Sequence, residues 1–130
     1  MATRIRVVVA SAATSAAALI ALHVFSASAW QVAPSSGAVT ALYIGPCLVA
    51  GHETPAGPAR AGAATWFVLF LVELGARSFL VPPLGGPSPR ATSPVSWLLG
   101  LMLLTVLGGF VGSIGGMMAR SRRVSPPSAP

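Results

Sequence analysis

The chain has 130 residues and a formal net charge of +6, with 54% hydrophobic and only 8% charged residues. With a mean hydropathy of +0.78, this composition is not that of a soluble domain, in which about 25% of residues are charged. A single cysteine excludes an intrachain disulfide and a zinc site made of several thiolates. The arginines lie at the ends of apolar runs and form no dense patch, so we expect lipid headgroups and not nucleic acid as the anionic partner.

The first apolar run covers about residues 7–29 and follows a short basic lead. Its length predicts a membrane-spanning helix. A secretory signal peptide is the alternative, because a basic start and an apolar core precede Ala27-Ser28-Ala29, a small-residue pattern typical of a cleavage site. We favour a retained helix, since the apolar stretch is longer than a usual signal core and Trp30 suits the membrane interface.

The second apolar run, residues 37–51, is short and contains Gly45-Pro46. As a helix it would be about 22 Å long, which is less than the hydrocarbon thickness of about 30 Å. We therefore expect either a short second span with a kink or break at the proline, which we favour, or a re-entrant segment. The third run, residues 61–81, is long enough to cross the bilayer, and we expect Trp66 near its start to lie at the interface.

The fourth apolar run, residues 95–119, carries no charged residue. As a helix it would be about 37 Å long, enough to cross the bilayer with some tilt. Three arginines follow it directly: Arg120, Arg122 and Arg123. Residues 125–130 are rich in proline and serine and are predicted to be a disordered tail.

The distribution of arginines predicts the topology. Four spans with a cytoplasmic N-terminus leave only Arg90 outside, with Arg77 within a span and all other arginines inside: Arg4, Arg6, Arg60, Arg120, Arg122 and Arg123. Three spans would move the arginines after the last run outside, against the positive-inside rule. We therefore predict an all-α integral membrane protein, with residues 1–124 forming one bundle of four transmembrane helices. The expected location is the plasma (inner) membrane, with both termini cytoplasmic.

Glu73 and Arg77 are the ionisable residues within the third run, four residues apart on one face of a helix. A charge at the bilayer centre costs several kcal/mol, on the order of 3, so we expect the two side chains to pair. His23 lies in the same half of the membrane and is the best candidate for a third member. Two interpretations follow: a structural ion pair, which we favour, or a relay for protons or cations.

Small residues repeat along the fourth run. Gly108, Gly112 and Gly116 are spaced by four, which lets another helix backbone approach closely. The partner helix is either within the chain, which we favour, or in a second copy.

No motif in the sequence predicts an enzyme or a cofactor site. Cys47, His52 and Glu53 lie close in sequence, but their spacing matches no established metal site, and we interpret Cys47 as a buried, unreactive thiol. We expect a non-enzymatic accessory or assembly component that associates with itself or with a larger membrane complex. The alternative is a small proton- or cation-coupled transporter that uses Glu73, with Arg77 as its counter-charge.

Overall fold

The computed structural model describes residues 2–32, 34–85 and 94–124, which form four long helices. Their bounds are Ala2–Trp30 for α1, Ser36–Glu53 for α2, Pro58–Gly75 for α3 and Pro94–Val124 for α4. The predicted all-α fold is confirmed. The predicted tail, residues 125–130, and Arg90 lie outside the described residues.

Three of the described helical segments are long and apolar enough to cross a membrane: Thr3–Trp30, Pro58–Leu80 and Leu98–Arg122. They correspond to the first, third and fourth apolar runs. The last of these helices continues past the apolar run into its arginines, so α4 reaches about 46 Å and exceeds the hydrocarbon thickness. Its final turns are therefore polar.

The second run forms a continuous α-helix. Ser35 caps its start, because the Ser35 hydroxyl accepts a hydrogen bond of 3.3 Å from the Ala38 N–H. Of the predicted kink or break at Pro46, the break is wrong: α2 runs through this proline and ends at Glu53. The proline has no N–H to donate, so one intrahelical bond is missing, but the helix on both sides of it continues and Pro46 itself is buried. The helix is about 27 Å long.

The end of the third run departs from α-helical geometry. After Gly75 the chain forms a π turn over Ala76–Leu80 and then a short 3₁₀ turn over Pro82–Leu84. The Val81 N–H donates to the Ala76 carbonyl at 3.1 Å, which closes the wider ring of a π turn. Such turns are often found at functional sites, and this one contains Arg77.

The helices alternate in direction around a central pair, α2 and α3. On one side of this pair lies α4 and on the other lies α1, and within the described residues no Cα atom of α1 lies within 8 Å of one in α4. Close approaches of Leu48 to Gly115 and of Pro58 to Gly116 place the end of α2, the start of α3 and the end of α4 together. The start of α1 lies there too, since Arg4 and Glu53 line one cavity.

The core lies between α1, α2 and α3 and consists of Leu19, Tyr43, Cys47, Trp66 and Leu69. Trp66 is only 6% exposed, and its ring centroid lies 4.9 Å from that of Tyr43. Trp66 was expected near the membrane interface, and its ring is instead buried in the core. Because α3 begins at Pro58 and not near residue 61, Trp66 lies more than two turns inside the helix and faces the core.

Candidate functional site

Three polar side chains from three helices meet at one level of the bundle. His23 lies seven residues before the end of α1, Tyr43 lies seven residues after the start of α2, and Glu73 lies seven residues before the end of the π turn. Since these helices alternate in direction, equal separations put the three residues at the same depth, about 10 Å from the helix ends. With Arg77 they form what we call the Glu73 cluster.

The carboxylate of Glu73 is the centre of the cluster. Its Oε2 accepts a short hydrogen bond from the hydroxyl of Tyr43. Its Oε1 lies 3.5 Å from Nε2 of His23 and 4.0 Å from Nη1 of Arg77. The side chain of Glu73 is 14% exposed, so it is largely removed from solvent while it contacts groups from α1, α2 and the π turn.

The two basic neighbours of Glu73 differ in their surroundings. The side chain of Arg77 is 48% exposed and extends outward from the bundle, whereas that of His23 is 7% exposed. Although His23 Nε2 lies close to the carboxylate, this buried nitrogen has no hydrogen-bond partner. A proton on Nε2 would be donated to Glu73 after a small change of geometry. The cluster can therefore hold one proton shared between the His23 imidazole and the Glu73 carboxylate, or it can serve as a polar contact that holds the helices together.

The structure thus brings together the three residues selected from the sequence, His23, Glu73 and Arg77, and adds Tyr43. The sequence contains one signal for this fourth member, because Tyr43 is the only tyrosine of the chain and lies inside an apolar run. A phenol at that depth requires a hydrogen-bond acceptor, and within the membrane-length runs the carboxylate of Glu73 is the strongest one.

Apolar groups fill the layer below the cluster. Leu19, Leu69 and Cys47 are fully buried there. The thiol of Cys47 donates to the carbonyl of Gly62 at 3.3 Å, so this cysteine joins α2 to α3 and is enclosed by protein. This environment is that of a structural thiol.

The predicted glycine ridge of α4 lies against the central helix pair. A methyl group built on Gly112 would lie 2.8 Å from the Cα of Gly62, and one on Gly108 would lie 2.5 Å from the Cβ of Trp66. A methyl group built on Gly116 would lie 2.6 Å from the Cβ of Pro58. We call this contact between α4 and the helices α2 and α3 the glycine seam, formed by Gly51, Gly62, Gly108, Gly112, Gly115 and Gly116.

The other polar group lies at the opposite end of the bundle. His52 Nδ1 is 3.2 Å from Oε1 of Glu53, its neighbour in sequence. Cys47 is not part of this pair, since its thiol bonds to Gly62. Among the described residues no group of three or more histidine, cysteine, aspartate or glutamate side chains is arranged to hold a metal ion.

Comparison with known proteins gives no relative of this chain: no family model, no curated protein and no solved structure matches it.

Proposed function

We propose that the chain is a four-span integral membrane protein of the plasma (inner) membrane, with both termini in the cytoplasm. The length of α1, α3 with its π turn, and α4 supports this, because each of these segments is apolar enough to cross. The position of α2 supports it as well. This helix lies along α1, α3 and α4, so its mixed composition faces protein on several sides and requires less apolar surface toward lipid.

The charges support the orientation. By the alternating directions of the helices, five described arginines belong to one end of the bundle: Arg4, Arg6, Arg60, Arg120 and Arg122. Arg77 belongs to the opposite half. By the positive-inside rule, the arginine-rich end is the cytoplasmic one.

Within this membrane protein, we infer a non-enzymatic accessory or assembly role. The observation that carries it is the packing of Glu73, whose carboxylate accepts a hydrogen bond from Tyr43 of α2 and lies 3.5 Å from His23 of α1. The layer beneath it is filled by Leu19, Leu69 and Cys47. An ion path needs a polar lining along its length. An ionisable residue held in this way orients helices, and it leaves the outer faces of the bundle for lipid or for a protein partner.

Among the described residues, α4 has more exposed large apolar side chains than any other helix, and we assign its outward face to self-association or to a larger membrane complex. This face includes Leu98, Leu99, Met102, Leu103, Val106, Leu107 and Phe110. The glycine seam lies on the other side of α4, against α2 and α3. Partner binding through α4 therefore does not compete with folding of the bundle.

A second function, proton-coupled transport, has one observation in its favour. The unpartnered Nε2 of His23 lies 3.5 Å from Glu73, an arrangement in which a proton can pass between the two groups. In this alternative Glu73 is the titrating group and Arg77 the counter-charge that competes for it.

The variant Glu73→Gln separates the two functions, with Glu53→Gln as the matched control because these are the only two acidic residues. The assembly role predicts a lower level of folded protein in the membrane for Glu73→Gln and no proton flux with wild-type protein in liposomes. A folded Glu73→Gln protein that loses a pH-dependent flux shown by wild type would establish transport. Native mass measurement in mild detergent tests self-association, and a mass corresponding only to monomer would contradict that form of the assembly role.

A further inference from the structure

The space between α1 and α4 is open where their arginines lie. These helices flank the central pair, and in the described part of the chain no Cα atom of one lies within 8 Å of a Cα atom of the other. Between them, over the end of α2, lies a cavity of about 280 Å³. Its walls are mainly apolar, with Val7 from α1, Leu48 and Val49 from α2, and Met118 from α4. Its polar residues are His52, Glu53 and Arg122.

A second cavity of about 390 Å³ lies beside it, between α1 and the connection from α2 to α3. Arg4 lines this cavity together with Ile5, Val8 and Val9. Glu53 lines both cavities, so the cavity lined by Arg4 and the cavity lined by Arg122 adjoin at this residue. Both volumes are close to the lower end of the range for cavities that bind small organic ligands, about 300–1,000 Å³.

The charge of this region favours an anion. Among the described residues, neither Arg4 nor Arg122 has an acidic partner within 4.0 Å, while Glu53 pairs with His52. Two guanidinium groups and one carboxylate give the site a formal charge of +1. This matches a single phosphodiester, a group for which arginine is a strong hydrogen-bond donor.

We infer that this cleft, which we call the α1–α4 cleft, binds one monoanionic glycerophospholipid of the cytoplasmic leaflet. An acyl chain lies along Val7, Leu48 and Met118, and the phosphate lies between Arg4 and Arg122. Glu53 accepts hydrogen bonds from headgroup hydroxyls, as the glycerol of phosphatidylglycerol provides. The inference rests on the proposed topology, because only then does the charged end of the cleft lie at the inner headgroup layer.

The test uses the full chain, purified in mild detergent and titrated with phosphatidylglycerol, phosphatidylethanolamine or phosphatidylcholine, with bound lipids counted by native mass spectrometry. Wild type is expected to retain one phosphatidylglycerol in preference to the other two lipids. The double variant that carries both Arg4→Gln and Arg122→Gln should retain this lipid more weakly. The expected loss is about fivefold for each arginine, and so roughly 25-fold for the pair.

The matched control is Arg6→Gln with Arg120→Gln, which removes the same charge from the same two helices at exposed positions that line neither cavity. It should leave lipid retention within about twofold, since neither arginine lines the cleft and detergent offers no anionic bilayer surface. Val49→Phe keeps every charge and fills the apolar part of the cleft, and it should abolish retention. Folding of each variant is verified from the protection of Cys47 against alkylation.

Equal loss in both arginine pairs, or full retention in Val49→Phe, would mean that the lipid binds the surface and not the cleft, and would overturn the inference. Retention of inorganic phosphate without lipid would overturn it too. A wrong topology can be distinguished from a wrong lipid site, because Arg4 and Arg122 would then face opposite sides of the membrane.

Discussion

The glycine seam gives the sharpest prediction about stability. A methyl group at Gly112 would lie 2.8 Å from Gly62 Cα and 3.0 Å from Gly62 N, whereas non-bonded carbon atoms prefer about 3.5–4.0 Å. Both neighbours are backbone, so no side chain can rotate away. The variant Gly112→Ala therefore forces α4 away from α3 by roughly 1 Å, and we expect overpacking to destabilise the bundle by about 1–3 kcal/mol.

Gly100 supplies the control within the same helix. A methyl group at Gly100 meets nothing within 4 Å, so Gly100→Ala should leave stability unchanged or slightly higher. Gly109→Ala should fall between the two, since its methyl group would lie 3.5 Å from the Ala59 carbonyl, an ordinary contact distance.

The assay uses Cys47, the single thiol of the chain, which is fully buried and becomes reactive only when the helices separate. Heating in detergent with a maleimide that fluoresces on alkylation gives an unfolding curve for each variant. Equal midpoints for Gly112→Ala and Gly100→Ala would refute the close approach of α4 to α3.

Three further results are expected from the same protein. Tyr43→Phe leaves one oxygen of Glu73 without its hydrogen-bond donor and should lower the free energy of unfolding by about 1–3 kcal/mol in the Cys47 assay. A double-mutant cycle with Glu73→Gln should then show a coupling energy of at least about 0.5 kcal/mol, and additive effects would contradict the hydrogen bond. Arg77→Gln should destabilise less than Tyr43→Phe, because the guanidinium is half-exposed and 4.0 Å from the carboxylate; a larger loss would show that Arg77 is the main partner. Intact mass analysis of the mature protein should show that the N-terminal residues are retained, and a chain that starts at Trp30 would establish signal cleavage instead.

The sequence carries enough information to select most of the Glu73 cluster. Glu73 and Arg77 follow from a spacing of four within an apolar helix. His23 is predicted to lie near them from its depth in the membrane, since antiparallel helices place residues at equal distances from the same membrane face side by side. Tyr43 was missed because a tyrosine in an apolar run can also lie at the membrane interface, and only the packing of α2 against α3 brings its hydroxyl to Glu73.

Other features depend on packing that periodicity cannot reveal. Small residues at a spacing of four indicate a close helix contact but do not identify the partner, and here α4 meets both α2 and α3. Trp66 was expected at an interface because aromatic residues collect there, yet the earlier start of α3 moved it into the core. The π turn at Ala76–Leu80 has no signature in the apolar pattern, since one extra residue in a turn leaves composition unchanged.

The central claim is that the chain crosses the membrane an even number of times. Single cysteines at Val32, Ala56 and Pro130, each in a Cys47→Ala background, test it with a membrane-impermeant maleimide on intact cells. Four spans predict labelling of the Val32 position from outside, and labelling of the other two positions only after the membrane is permeabilised. Labelling of the Ala56 position from the same side as the Val32 position would show that α2 does not cross, and would contradict the account.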